Sequence, residues 1–232
     1  MSISYSSDQL RAFPWIISSG TLKLEDLIPA AESALQQILG SLHRPPFTLS
    51  SNVEELLLVA NSCASSELSS YAFQRRSSNL DILAEGYIEL SELLEDLAPV
   101  GFTYGSHSGD GALMGFWLSD CLERDIESIG INLEDPELIV DWLQTLLKEG
   151  IDIEDLESCH HSRVEAISYE DAGREFSMDC AEASGIELSP PNSSGWPIDC
   201  IDWNQAWQEL RSDGYIITRA PDSAGLFDVW LP

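Results

Sequence analysis

The chain has 232 residues, 44% of them hydrophobic and 9% aromatic, and carries 40 acidic against 11 basic residues, for a net charge of −29 and a pI near 4.1. Seven Trp and seven Phe supply enough apolar bulk for a packed core and exclude a disordered polyanion, which needs low hydrophobicity. The charge excludes direct binding to DNA or RNA, where Lys and Arg neutralise phosphates, and disfavours anionic membrane surfaces.

Charged residues make up 22% of the chain, slightly under the ordinary value of roughly 25%. The acidity therefore reflects missing bases: Lys23 and Lys148 are the only lysines. It is also uneven, with a net of −8 over residues 1–100 and −21 over residues 101–232. The five cysteines, Cys63, Cys121, Cys159, Cys180 and Cys200, form an odd set without a CxxC pair. The opening MSISYSSDQLRAFPW has no basic-then-apolar leader, and no apolar run approaches a membrane span. The expectation is a cytoplasmic protein with reduced thiols and no disulfide framework.

In chain order, LKLEDLIPAAESALQQILGSLH spaces Leu24, Leu27, Ile28, Ala31, Leu35, Ile38 and Leu39 at helical steps. Pro29 is placed near that helix's start, and His43-Arg44-Pro45-Pro46 ends it. A second helix is expected at Val53–Ala60 after Ser50-Ser51-Asn52, then a serine-rich loop over 61–78, then a third helix over about Leu80–Leu97, stopped before Pro99. Val100–Tyr104 and Leu113–Leu118 flank a Gly-rich turn and read as a hairpin.

Beyond the hairpin the pattern is mainly helical. Pro136 opens PELIVDWLQTLLKEG, with Leu138, Val140, Leu143, Leu146 and Leu147 available for burial and Gly150 as the stop. IDIEDLESCHH continues as a short helix. A Ser-x-x-Asp signal at Ser168–Asp171 starts a helix that ends at Gly185, residues 187–200 form a loop, Asp202 caps a last helix, and YIITRAPDSAGLFDVWLP closes as a hairpin. Trp142, Phe176, Trp203 and Trp207 are the expected core anchors. The expected fold class is α+β: a helical N-terminal region at 1–99, then an acidic domain at 100–232 comprising the hairpin, a mainly helical body and a short closing hairpin.

Two clusters invite chemistry. Gly105-Ser106-His107-Ser108-Gly109-Asp110-Gly111 lacks the following helix and the Lys that a phosphate cradle uses, so a hairpin turn is the better reading. Cys159-His160-His161 holds three metal-ligand types, but adjacent residues diverge and zinc sites use spaced pairs. An enzyme built on His107, Asp110 and this run is the reading that bound metal in the purified protein favours. No GxSxG, SxxK or HExxH occurs. We therefore expect no catalytic residue, no metal and no cofactor.

The acidic pattern says more. Asp81, Glu85, Glu89, Glu92 and Asp96 step along one face of the third helix, with neighbours about 4.5–6 Å apart along its axis. Between residues 125 and 162 there are eleven acids and one base. Like charges at i,i+4 destabilise a helix by a few tenths of a kcal/mol each. A solvated helix face explains any single stripe, and acidic adaptation to salt would spread the acids evenly. The unequal halves favour a third reading, a surface that imitates a nucleic-acid backbone.

The C-terminal pieces Gly150-Ile151-Asp152, Tyr169-Glu170-Asp171-Ala172-Gly173-Arg174-Glu175 and Ile201-Asp202-Trp203 with Ala206, Leu210, Gly214 and Tyr215 resemble the end of the ArdA-type antirestriction proteins over residues 140–232. The resemblance implies a non-enzymatic phage or plasmid inhibitor that mimics bent B-form DNA. Such a protein occupies the DNA groove of a basic DNA-binding partner, a type I restriction-modification enzyme. It also implies a homodimer, for which the least acidic patches are the N-terminal helix (Leu24–Leu39) and the closing hairpin with Leu226, Phe227, Val229 and Trp230. The candidate contact residues are Glu134, Asp135, Glu137, Asp141, Glu149, Asp152, Glu154, Asp155, Glu157, Glu170, Asp171, Glu175 and Asp179. The alternative is an acidic adaptor or inhibitor of a basic protein that does not bind DNA. Neither reading involves direct nucleic-acid or membrane binding.

Overall fold

A computed structural model describes residues 3–20, 23–45, 70–132, 135–186, 188 and 201–232. Among these residues are eight helices and two three-stranded antiparallel sheets, an α+β fold. The chain divides into two compact units, Met1–Ser119 and Asp120–Pro232.

In the first unit, Ser6 and Gln9 form a reciprocal capping box that starts α1 (Ser7–Arg11), and the Gln9 amide donates to the Ser41 carbonyl at 2.8 Å. Helix α2 (Leu24–Ser41) buries Leu27, Ile28, Ala31, Leu35 and Ile38. It packs on α3 (Ser70–Asp96), which buries Leu83, Leu90 and Leu94, with Leu97 just beyond its end. Pro29 lies in the second turn of α2 rather than at its first, where its missing N–H removes one intrahelical bond on an exposed side. Helix α3 starts ten residues before the expected Leu80, so Ser70–Ser78, expected as loop, is helical. Serine is only mildly unfavourable inside a helix and did not stop this one. The helix expected at Val53–Ala60 lies outside the described residues.

The expected hairpin forms from β2 (Phe102–Ser106) and β3 (Met114–Leu118), with Phe102 opposite Leu118 and Ser106 opposite Met114. The sequence did not show β1 (Ile16–Ser18), which adds to β3 to make the order β1-β3-β2. Gly115 permits this approach: a Cβ there would meet the Trp15 carbonyl oxygen at 2.2 Å. Phe13, Trp15, Phe102 and Phe116 stack around the joint at centroid distances of 4.8–5.1 Å. Because the hairpin pairs with β1, the unit boundary falls at Ser119/Asp120 and not at 99/100.

The second unit begins with α4 (Asp120–Ser128) and α5 (Pro136–Glu149). Asp135 caps α5 and Gly150 closes it at φ 87°. Val140, Trp142, Leu143 and Leu146 are buried, whereas Leu138 and Leu147, expected in the core, are 50% and 39% exposed. The short α6 (Leu156–Cys159) gives way to a strand, β4 (His160–Glu165), where the sequence suggested continued helix. Ser168 caps α7 (Tyr169–Ala183) and Asp202 caps α8 (Trp203–Ser212), as expected. The expected loop at 187–200 lies outside the described residues, Leu188 excepted.

Strand β6 (Leu226–Trp230) is central, between β4 and β5 (Ile216–Arg219). Phe176 and Trp207 pack with Val164 and Val229, and Tyr169 sets its ring against Phe227 at 5.0 Å. On the other side of β6, Trp230 meets Trp142 of α5, and its indole N–H donates to Thr218 Oγ1 at 2.8 Å. Covered on both faces, β6 is fully buried from Phe227 to Trp230. This overturns the expected dimer patches: Phe227, Val229 and Trp230, and likewise Leu27, Ile28, Leu35 and Ile38, lie in their own units' cores.

Close packing of α7 on α8 depends on Gly173, where a Cβ would stand 2.5 Å from the Trp207 ring. Gly173→Ala gains roughly 0.8–1.0 kcal/mol of helix propensity but forces an overpacked contact that costs about 1–3 kcal/mol. A net loss of up to about 2 kcal/mol is expected in urea unfolding. A stabilised variant would mean that Trp207 moves aside freely.

Candidate functional site

Most of the expected contact residues lie at the surface of the second unit, on three elements. On α5, Asp135 and Asp141 are exposed and Glu137 is half-buried. Asp135 Oδ1 accepts from the Glu137 N–H at 3.0 Å, so it caps the helix as well as charging its end. Glu134 lies outside the described residues. Across the left-handed turn at Gly150 and into α6, Glu149, Asp152, Glu154, Asp155 and Glu157 are all exposed, five carboxylates in nine residues. Asp152 Oδ1 accepts from the Glu154 N–H at 2.9 Å and holds the turn.

On α7, Glu170 and Asp179 are exposed and Asp171 and Glu175 half-buried. Asp171, Glu175 and Asp179 step by four along one side of the helix, opposite buried Ala172, Gly173, Phe176 and Ser177. Asp171 accepts from the Ser168 hydroxyl at 2.9 Å, and Glu175 meets Arg174 at 3.6 Å. Glu170 and Asp171 occupy the first turn, where the helix dipole favours negative charge. Asp179 lies beyond that help and, after burial, is the second cause that raises the Cys180 thiol above its usual range. Glu149, Glu154, Glu157, Glu170 and Asp179 take no hydrogen bond or ion pair from the other described residues. Among the described residues no cation is bound to them, which leaves them available to a cation-rich partner. In the first unit, Asp81, Glu85, Glu89, Glu92 and Asp96 of α3 are likewise all exposed.

The structure separates the histidines of the Cys159-His160-His161 run. His160 packs on Trp230 at 5.0 Å and His161 on Phe176 and Tyr215 at 5.2 and 5.4 Å, on opposite faces of β4, because successive strand residues point opposite ways. Among the described residues no cluster of three or more His, Cys, Asp or Glu is arranged to hold a metal ion. In the β2–β3 turn, His107 Nδ1 accepts from the Gly109 N–H and Asp110 from the Ala112 N–H, both at 3.0 Å. A shallow cleft of about 150 Å³ between the ends of α2 and α3, lined by Leu35, Leu39, Arg44, Leu93, Asp96 and Leu97, is smaller than ligand pockets of roughly 300–1,000 Å³. Among the described residues no helix is long and apolar enough to cross a membrane.

Sequence reading missed a charged cluster inside the second unit. Asp228, at 0% exposure in the middle of β6, accepts from Arg163 Nε at 2.8 Å across the β4–β6 register, and His160 Nε2 lies 3.3 Å from the same oxygen. Arg163 Nη1 reaches Asp222 Oδ2 and the Gly130 carbonyl, both at 3.3 Å. Burial opposes the Arg163 charge, but hydrogen bonds and attraction from Asp228 and Asp222 outweigh it and hold the guanidinium above its usual range. Arg163 Nη2 and Asp228 Oδ2 are both buried without a partner. Since neither bonds the other, the Nε–Oδ1 contact is a single hydrogen bond and not a bidentate fork, and Asp222 Oδ1 beside them is buried without a partner as well. Two signals mark it in the sequence: an acid within the apolar run LFDVW, and the single base between Lys148 and Arg174.

Comparison with protein-family models, with curated proteins and with solved structures finds no match to this chain. The functional reading rests on its residues and their geometry.

Proposed function

We propose that this protein is a non-enzymatic DNA mimic that occupies the DNA-binding groove of a basic defence enzyme, of which a type I restriction-modification enzyme is the example named by the ArdA resemblance. The observation that supports the reading is the run Glu149, Asp152, Glu154, Asp155 and Glu157, all exposed and without an ion pair among the described residues; Glu170 and Asp179 of α7, which packs on the other face of the sheet, are exposed as well. Duplex DNA carries a charge about every 1.7 Å counting both strands, and five exposed carboxylates in nine residues approach that density better than an ordinary surface. The reading places the protein in the cytoplasm, where such an enzyme meets DNA. The mechanism is electrostatic steering followed by exclusion of DNA from the groove, with no bond made or broken.

Affinity for a purified type I restriction-modification enzyme is expected to fall by about tenfold or more as salt rises from about 50 to 200 mM, because screening shortens to under roughly 10 Å. Calorimetry or anisotropy at two salt concentrations measures this, and duplex DNA added to the complex should displace the protein. Salt-insensitive binding would count against mimicry. Binding that DNA leaves untouched would favour an acidic adaptor instead.

A further inference from the structure

The corner between β4 and α7 carries the most exposed large apolar side chain described, Ile167 at 92%, with Tyr169 two residues on at 53%. Ser168 between them is the α7 cap, which puts Ile167 where an apolar residue ordinarily packs on the fourth helical residue. That residue is Ala172, short and fully buried in the unit's own core, so Ile167 is left uncovered. Tyr169 is held at its base, edge-on to Phe227 at 5.0 Å, while half of its surface stays open. Both side chains flank the capped start of α7, and the Tyr169 ring, held against Phe227, loses little entropy on binding.

Around this pair stand Glu165 and Glu170, both exposed, and half-buried Asp171. Arg219 lies over the same Phe227 ring, its guanidinium 5.9 Å from the ring centre. Scattered exposed apolar residues are ordinary; two on one corner inside a carboxylate rim define the chemistry of an occupant. We propose that Ile167 and Tyr169 are the apolar anchor of the acidic surface, seated in a recess of a basic protein surface. This rests on the proposed function and names where its partner makes unscreened contact. A second copy of this chain is a poor occupant, because two such corners would bring carboxylate rims together, and like charges in contact are strongly disfavoured.

The test uses the full chain and a purified type I restriction-modification enzyme as probe, at about 50 and 200 mM salt. For the double variant Ile167→Ser/Tyr169→Ser, affinity is expected to fall about tenfold or more, by the same factor at both concentrations, since apolar contact is not screened. Ile167→Leu/Tyr169→Phe keeps the apolar surface and is expected to bind as the unaltered protein does. If the serine variant binds within twofold of the unaltered protein, or if the leucine–phenylalanine variant is equally weakened, the anchor is overturned while salt-dependent binding still stands. If the unaltered protein fails to bind the enzyme at either salt, the mimic reading falls, and the anchor with it.

Discussion

Replacing Arg163 with methionine is expected to destabilise the C-terminal unit by about 3–5 kcal/mol, the usual effect of leaving a buried charge without its partner. Asp228 is wholly inaccessible, and Arg163 supplies its closest cationic contact at 2.8 Å while also holding Asp222 and the Gly130 carbonyl. Against a total stability of roughly 5–15 kcal/mol, that loss is enough to unfold the unit in part. Amide hydrogen exchange at Ile216–Arg219 and Leu226–Trp230 reports on this sheet alone and separates it from the N-terminal unit. Adding Asp228→Asn should restore at least half of the lost protection, since the isolated charge is then gone. If Arg163→Met alone leaves protection unchanged, the cluster does not hold the sheet together.

Reversing Glu149, Asp152, Glu154, Asp155 and Glu157 together to lysine should abolish inhibition of the partner enzyme. The change moves the net charge from −29 to −19 and turns the densest exposed run into a basic one that repels a basic groove. The single change Asp155→Asn should shift affinity by no more than about twofold, because its exposed charge is one of many and worth little alone. Asp152 also holds the Glu154 N–H, so hydrogen exchange on the quintuple variant must show the fold intact. The assay is a dose–response of the enzyme's DNA cleavage against added protein. Full inhibition by the quintuple variant would remove this run from the interface, and complete loss from Asp155→Asn alone would indicate a pocket rather than a distributed surface.

Local rules carried much of the fold. Helix α5 reads directly from Pro136, its apolar period and Gly150; α7 from Ser168 and Asp171; α8 from Asp202; and the β2–β3 and β5–β6 hairpins from apolar runs flanking turn residues. Each is set by interactions within a few residues, which a sequence displays. The acidic stripes were legible for the same reason, since a charge on the outer side of an amphipathic helix is exposed wherever that helix packs. The same logic did not extend to Leu138 and Leu147, whose exposure depends on how α5 rolls against the sheet.

What required tertiary structure is long-range pairing. Ile16–Ser18 is a strand because Gly115, a hundred residues on, leaves room for it, and that pairing moved the unit boundary from 99/100 to Ser119/Asp120. His160–Glu165 is a strand because β6 offers its edge, which overrode a helical reading and sent His160 and His161 to opposite faces. The charge and the carboxylate stripe of α3 were determined by the sequence itself, because composition and local period need no partner. Which acids stay free in solvent, which two are locked to Arg163, and which apolar residues the closing hairpin keeps for its own core were decided by the fold, because burial depends on what the rest of the chain places alongside.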